Sequence, residues 1–292
     1  MSAFYYCSSL SSITIPDSVT SIGYNAFGNC RNLSAVLIPN SVVSIGAGAF
    51  QYCSSLTNII IPEGITAIEY ITFYYCYNLI DVTIPDSVTS IGEQAFNRCI
   101  NLSNITIPDS VTSIGRSAFQ YCNSLTSITI PDSVSSIEYG TFNGCYRLTS
   151  ITIPDSVTSI GYGAFQNCTS LNSITLEGDA PTFGANAFSG SDSVTAYYYE
   201  DATGFTSPTW QGIQSEAISR PAPIVAGIEK LEVGVNLWFN SASGQSHRIE
   251  SSNDLENWSM LEDEIISEGD TVIRYYDTVG IQKRFYRVKR ND

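Results

Sequence analysis

The sequence predicts a solenoid of short parallel β-strands on one face, with little regular helix, followed by a small antiparallel β-sandwich. Three observations carry this expectation. Phenylalanines recur at Phe4, Phe27, Phe50, Phe73, Phe96, Phe119, Phe142, Phe165 and Phe188, always 23 residues apart. Cysteines from Cys7 to Cys168 and prolines from Pro16 to Pro154 keep the same step, with no insertion or deletion. Residues 228–292 drop the period and show alternating runs such as "VNLWFNS" and "RFYRVKR" between polar turns. A fixed period of this size marks stacked units, each too small to bury its own apolar face except against its neighbours.

One unit, Leu148 to Cys168, shows how a coil is built. Leu148, Ile151 and Ile153 alternate with Ser150 and Thr152, the pattern of a half-buried strand. Pro154-Asp155 supplies a turn, through the fixed φ of proline and the self-bonding side chain of aspartate. Val157 and Ile160 return to the interior, and Gly161 is read as a sharp bend. Ala164, Phe165 and Cys168 close the coil. Strands of successive coils are expected to pair in parallel, about 4.8 Å apart. All eight cysteines are expected to form a buried ladder of reduced thiols.

The pattern Leu-x-x-Ile-x-Ile-Pro-x-x-Val-x-x-Ile-Gly-x-x-Ala-Phe-x-x-Cys resembles the 23-residue leucine-rich repeat of the BspA-like class over about residues 1–190. The chain departs from it where Thr72 and Thr141 replace the alanine, Glu69 and Glu138 the glycine, and Asn40 and Glu63 the aspartate. The resemblance implies a secreted or surface-attached protein concerned with adhesion and binding, not catalysis.

The ends differ from the middle. "MSAFYYC" enters mid-repeat, which reads as a truncated start lacking a cap and a signal segment. An uncapped edge there is expected to fray or to associate with another molecule. The solenoid is expected over 1–218, with a degenerate C-terminal cap over about 177–218. In that cap Ser191 replaces the cysteine, Val194, Tyr197 and Tyr199 hold strand positions, and Trp210 folds over the open core. Residues 219–227, "SRPAPIVAG", read as a linker, and 228–292 as a small all-β domain. The "SSNDLENW … RFYRV" pattern is similar to small C-terminal β-modules of bacterial surface proteins.

Composition narrows the function. The net charge is −15, and the first lysine is Lys230, so a nucleic-acid partner is not expected. No apolar run approaches the ~18 residues of a membrane span. The single histidine, His247, lies outside the repeats, and no Cys-x-x-Cys pair exists. Catalytic residues, metal ligands and cofactors are therefore not expected. The acidic column at Asp17, Glu63, Asp86, Asp109, Asp132 and Asp155 is explained by the turn; one row of carboxylates supplies few of the six to eight oxygens that calcium takes.

Two surfaces remain as binding candidates. On the strand face, Leu37 and Ile60 interrupt a threonine column that continues through Thr83 and Thr106. Threonine also favours exposed strand positions for its own sake. The second surface is rich in tyrosine: Tyr52, Tyr70, Tyr74, Tyr75, Tyr77 and Tyr121, densest in "EYITFYYCYN", residues 69–78. Tyrosine gives large contact area at low entropic cost. The expected function is extracellular recognition or adhesion, toward a protein or glycan on a cell or matrix surface. Alternatives are a carbohydrate-binding surface protein and a structural spacer that displays the C-terminal module.

Overall fold

The computed structural model describes residues 2–220, and beyond them six strands between residues 226 and 291. The chain divides into two compact units, Met1–Ile218 and Ser219–Asp292.

Each coil of the first unit has three sides. The first is a short strand, such as Ser12–Thr14 or Ser150–Ile153, that pairs in parallel with its counterpart one coil on. The second is a two-residue strand, such as Ser90–Ile91, which forms a parallel ladder of its own. The strands thus line two faces, not one. The third side is a ribbon of turns. There the N–H groups of Asn25, Phe27 and Asn29 donate to the carbonyls of Ala47, Ala49 and Gln51 in the next coil, at 3.1, 2.8 and 2.8 Å. The intervening N–H groups of Ala26, Gly28 and Cys30 close turns onto carbonyls three residues back, at 3.1, 3.0 and 3.1 Å. This alternation satisfies every backbone donor of the ribbon without a helix or a strand.

Inside, nine phenylalanine rings from Phe4 to Phe188 stack 5.3–5.7 Å apart, within 10° of parallel. Beside them runs the cysteine column. Each buried thiol donates to the carbonyl of the phenylalanine one coil earlier, for example Cys53 Sγ to Phe27 O at 3.1 Å. Seven cysteines, Cys30 to Cys168, are buried and free. Cys7, in the first coil, is the exception to the expected ladder: it is exposed, as are Phe4, Tyr5 and Tyr6. At the far end Ser191 takes over the thiol's role, its Oγ donating to Phe165 O at 2.7 Å and accepting from the Cys168 N–H at 2.9 Å. Thr195–Tyr199 continues the first ladder between Ser173–Leu176 and Ile213–Ile218. Trp210 is buried edge-on to Phe183, with ring centroids 4.7 Å apart.

The glycine column has a different role from the expected bend. Gly161 does not adopt a left-handed conformation. A Cβ on it would lie 2.7 Å from the backbone N of Tyr139 in the preceding coil, and one on Gly115 would lie 2.5 Å from the N of Glu93. The glycines let two backbones approach, so that Gly92, Gly115 and Gly161 donate to the carbonyls of Ile68, Ile91 and Ile137 at 2.7–2.8 Å. Glu69 and Glu138 cannot approach in this way, and neither makes that bond. The second ladder is accordingly divided between Ser44–Ile45 and Ala67–Ile68, and again between Ser113–Ile114 and Ser136–Ile137. The first ladder is divided at the first of these junctions too, between Ala35–Leu37 and Asn58–Ile60; near the second it stops after Asn104–Ile105 and resumes at Ser150–Ile153, with no strand over residues 127–130. The phenylalanine spacing widens there too, to 5.7 Å at Phe50–Phe73 and Phe119–Phe142, against 5.3–5.5 Å elsewhere. The threonines that accompany the glutamates compensate within the coil: Thr72 Oγ1 donates to Glu69 O at 2.8 Å, and Thr141 Oγ1 to Glu138 O at 2.9 Å. The turn ribbon runs unbroken past both junctions.

In the second unit the backbone forms two three-stranded antiparallel sheets. One orders Ala226–Lys230, Gly234–Asn240 and Thr271–Asp277; the other orders Ser259–Ile266, Ser246–Ser252 and Phe285–Asn291. The first of these strands begins inside the segment read as a linker. Residues 221–225 of that segment lie outside the described residues, as do the turns between the strands.

Two predictions follow from this packing. Gly115→Ala should destabilise the solenoid by about 1–3 kcal/mol, since the new methyl meets backbone that cannot yield. Glu138→Ala, at the same position of the next coil, should stay within about 0.5 kcal/mol. Urea denaturation of both variants checks this, and equal effects would contradict the close approach at Gly115. The second prediction concerns pH. Burial pushes the thiols of the inner cysteines up, that of Cys168 to about 12 and those of Cys53, Cys76, Cys99, Cys122 and Cys145 well above the usual thiol range. Unfolded thiols ionise near pH 8.5 while the folded ones keep their protons. Stability should therefore be full below about pH 8.5 and fall above it, by about 1.4 kcal/mol per pH unit for each fully buried thiol. Cys99→Ala should flatten that slope by one thiol's share, which urea titrations between pH 8 and 10.5 would detect.

Candidate functional site

The turn ribbon requires two left-handed residues per coil. One column of them carries Asn29, Tyr52, Tyr75, Arg98, Tyr121, Gly144 and Asn167, each with φ between 58° and 72°. Glycine and asparagine suit this conformation, whereas other residues lose about 1–2 kcal/mol by adopting it. Four successive coils nevertheless place a tyrosine or an arginine there. Local backbone preference does not select these residues.

Their side chains form a continuous stack on the outer surface. The ring of Tyr52 lies on that of Tyr75, 4.9 Å between centroids. The guanidinium of Arg98 lies over both Tyr75, at 5.2 Å, and Tyr121, at 4.4 Å. The ring of Tyr121 in turn covers Gly144, where any Cβ would collide with it. Tyr74 packs against Tyr75 and Tyr52, at 4.4 and 5.5 Å, and Tyr77 against Tyr75 at 5.3 Å. These three contacts are edge-to-face, a geometry favoured by the ring quadrupole and worth about 0.5–1.5 kcal/mol each. Such contacts offset part of the backbone cost.

The tyrosines read from the sequence therefore take different places. Tyr52, Tyr74, Tyr75 and Tyr77 meet as one cluster, and Arg98 joins Tyr121 to it. Tyr52, Tyr74, Tyr75 and Tyr121 are half-buried and Tyr77 is exposed. Burial pushes the Tyr74 phenol up to about 12, helped by its hydrogen bond with Tyr75, and the nearby charge of Arg98 opposes this. Burial also raises Tyr52. Tyr70 stands in another column, the one that follows the glycine, and is exposed there with Tyr24, Tyr139 and Tyr162. Tyr139 and Tyr162 stack 5.5 Å apart and 7° from parallel. Arg98 was not singled out from the sequence. Its 23-residue spacing from Tyr75 and Tyr121 was the available signal.

The strand-face residues lie on a different side. Leu37 and Ile60 are 70% and 66% exposed, on the two sides of the first junction where the ladders divide. Thr83 ends the strand Asp81–Thr83, and Thr106 follows the strand Asn104–Ile105. Among the described residues no group of three or more His, Cys, Asp or Glu side chains is placed to hold a metal ion. Among them, too, no helix is long and apolar enough to cross a membrane. A concavity of about 810 Å³ near the C-terminal end of the solenoid is lined by one acid, Asp192, and by no histidine.

This architecture is that of a leucine-rich repeat protein. A family model of the BspA type leucine rich repeat region matches residues 1–103 and 66–195, in 6 copies, and the chain belongs to that family. Among solved structures, a leucine-rich repeat protein from Bacteroides ovatus is 30% identical, with a TM-score of 0.53 over 64% of this chain. The chain spans 63% of that relative's length. A leucine rich repeat protein of T. pallidum is also 30% identical, with a TM-score of 0.51, covering 55% of this chain and 78% of its own. A protein from Faecalibacterium prausnitzii described as a leucine rich cell surface protein is 26% identical, with a TM-score of 0.31, covering 71% and 83%. No curated protein matches the chain.

The stack depends on the missing side chain at Gly144, which also holds φ at +72°. Gly144→Ala should push Tyr121 off its seat and cost about 1–2 kcal/mol through the left-handed backbone alone. A urea midpoint unchanged from the parent would contradict this account of the stack.

Proposed function

We propose that this chain is a non-catalytic recognition or adhesion protein acting outside the cell or at its surface. Its turn-ribbon edge, centred on Tyr52, Tyr74, Tyr75, Tyr77 and Tyr121, engages a protein partner, with Tyr70 at the margin. The observation that carries this reading is the choice of Tyr, Tyr, Arg and Tyr at four successive left-handed positions. Sister coils hold the same backbone with Gly144, Asn167 and Asn29. Folding alone favours the smaller residues, so the large ones point to a use at the surface. Tyrosine and arginine are also the residues that dominate protein interfaces. The C-terminal unit, its two sheets packed as a small sandwich, is a separate module carried by the solenoid.

Asparagine is the appropriate test residue, because it accepts the left-handed backbone. Tyr121→Asn should keep stability within about 1 kcal/mol of the parent, and Tyr75→Asn, which loses its contacts to Tyr52, Tyr74, Tyr77 and Arg98 but gains a residue suited to the left-handed backbone, within about 2 kcal/mol. Each should weaken binding to a captured partner by about 2 kcal/mol or more. The measurement pairs thermal denaturation with binding to arrayed extracellular-matrix proteins. Binding that survives both substitutions would place the interface elsewhere.

A carbohydrate reading has one observation in its favour. Tyr139 and Tyr162 form an exposed, nearly parallel pair apart from the cluster. Capture of neutral glycans that is lost in Tyr162→Ala but kept in Tyr75→Asn would support that reading instead.

A further inference from the structure

The first unit contains four arginines, Arg31, Arg98, Arg116 and Arg147, and no lysine. Arg98 is distinguished from the others by its setting. It is half-buried, with its guanidinium over the rings of Tyr75 and Tyr121 at 5.2 and 4.4 Å. No described residue gives that guanidinium a hydrogen bond or an ion pair, although the chain carries 28 carboxylates. Two rings lie against it, and among the described residues its N–H groups have no acceptor. A guanidinium fixed in this way has little rotamer freedom left to lose, and its donors fork in the geometry that matches a carboxylate.

We infer that the N–H edge of Arg98, held between Tyr75 and Tyr121, receives the carboxylate of an acidic peptide segment of the partner, with an aromatic or aliphatic neighbour of that carboxylate resting on Tyr75 and Tyr77. This inference rests on the protein-recognition reading above and names the chemistry of its partner. Three features of the surroundings favour a peptide over an acidic sugar. The rings around Arg98 meet edge-on, with Tyr74 at 62° and Tyr77 at 69° to Tyr75, so they offer no flat floor for a pyranose. The adjacent amides are tied to each other, Asn97 Nδ2 donating to Gln120 Oε1 at 2.9 Å, which leaves these two atoms less available to sugar hydroxyls. The aromatic mass beside the cation suits an apolar side chain. The overall charge of −15 opposes an acidic partner at long range, but that repulsion is screened beyond about 8 Å at physiological salt. The contact with Arg98 is short-range and partly shielded from water.

The test uses the full chain, fluorescently labelled, on an array of capped hexapeptides. In these an aromatic residue neighbours Asp or Glu, the isosteric Asn or Gln, or Lys. Oligosaccharides containing uronic acids are printed on the same array. The parent is expected to bind the acidic peptides at least ten-fold more tightly than their amide counterparts. Arg98→Asn keeps a residue suited to the left-handed backbone and should abolish that ratio. Arg98→Lys, which keeps the charge but not the fork, should reduce it several-fold. Arg116→Asn should leave it unchanged. The inference is overturned if Arg98→Asn retains the ratio, if amide and acidic peptides bind alike, if no peptide binds, or if the uronic-acid oligosaccharides are captured in place of the peptides. Tyr75→Asn separates the two levels. Peptide binding lost in Tyr75→Asn but kept in Arg98→Asn would leave the edge as the interface and remove only the acidic partner. Peptide binding unchanged in both would remove the edge as well.

Discussion

The carbonyl of each spine phenylalanine points into the core, and everything else in the solenoid depends on how that carbonyl is satisfied. Phe27 O accepts the N–H of Cys30 at 3.1 Å within its own coil and the thiol of Cys53 at 3.1 Å from the next. Both of its lone pairs are thus used without water, which a dry core of stacked rings requires. The donor has to be small, single-valent and tolerant of burial. Cysteine meets those conditions, and Ser191 meets them once, where the column ends. The cysteines are therefore neither disulfide partners nor mere fillers. They bind consecutive coils together through the carbonyls of the spine phenylalanines.

That connection explains why the structure can afford interruptions on its other sides. At the coil of Glu69 both strand ladders open; at that of Glu138 the second opens, with the first interrupted nearby. The ring spacing in the core widens at both by a few tenths of an ångström. The turn ribbon and the thiol bonds cross both junctions intact. The solenoid is thereby organised as blocks joined along one continuous edge. The Tyr52–Tyr75–Arg98–Tyr121 stack lies on that edge and crosses the first junction. A surface that must hold several side chains in register over four coils is best built on the side that does not open.

Nearly all of the first unit's architecture was legible in the sequence, because a strict period transmits local pattern directly into three dimensions. Leu148, Ile151 and Ile153 could face only one way once the coils stacked, and the same holds for their equivalents 23 residues away. The expected bend at Gly161 failed for a physical reason. A glycine can mean a left-handed φ or a missing Cβ, and only the position of Tyr139 N in the neighbouring coil distinguishes them. The expectation for Cys7 failed because a thiol in this column is covered by the coil before it and not by its own repeat, as the bond from Cys30 to Phe4 O shows.

The sequence by itself determined the period, the apolar columns, the turn chemistry of Pro-Asp and the presence of a tyrosine-rich edge. These follow from residue type and spacing, which are local properties repeated without error. Only the tertiary structure decided which tyrosines meet. Tyr74 and Tyr75 are adjacent in sequence, yet Tyr75 stacks on Tyr52 from the preceding coil and against Arg98 from the next. It also decided that Arg98 belongs to the cluster and that its N–H groups meet no acceptor among the described residues, because both facts depend on the rise between coils and on two left-handed φ angles per turn. Neither quantity is written in any single repeat; both arise from how neighbouring backbones satisfy one another.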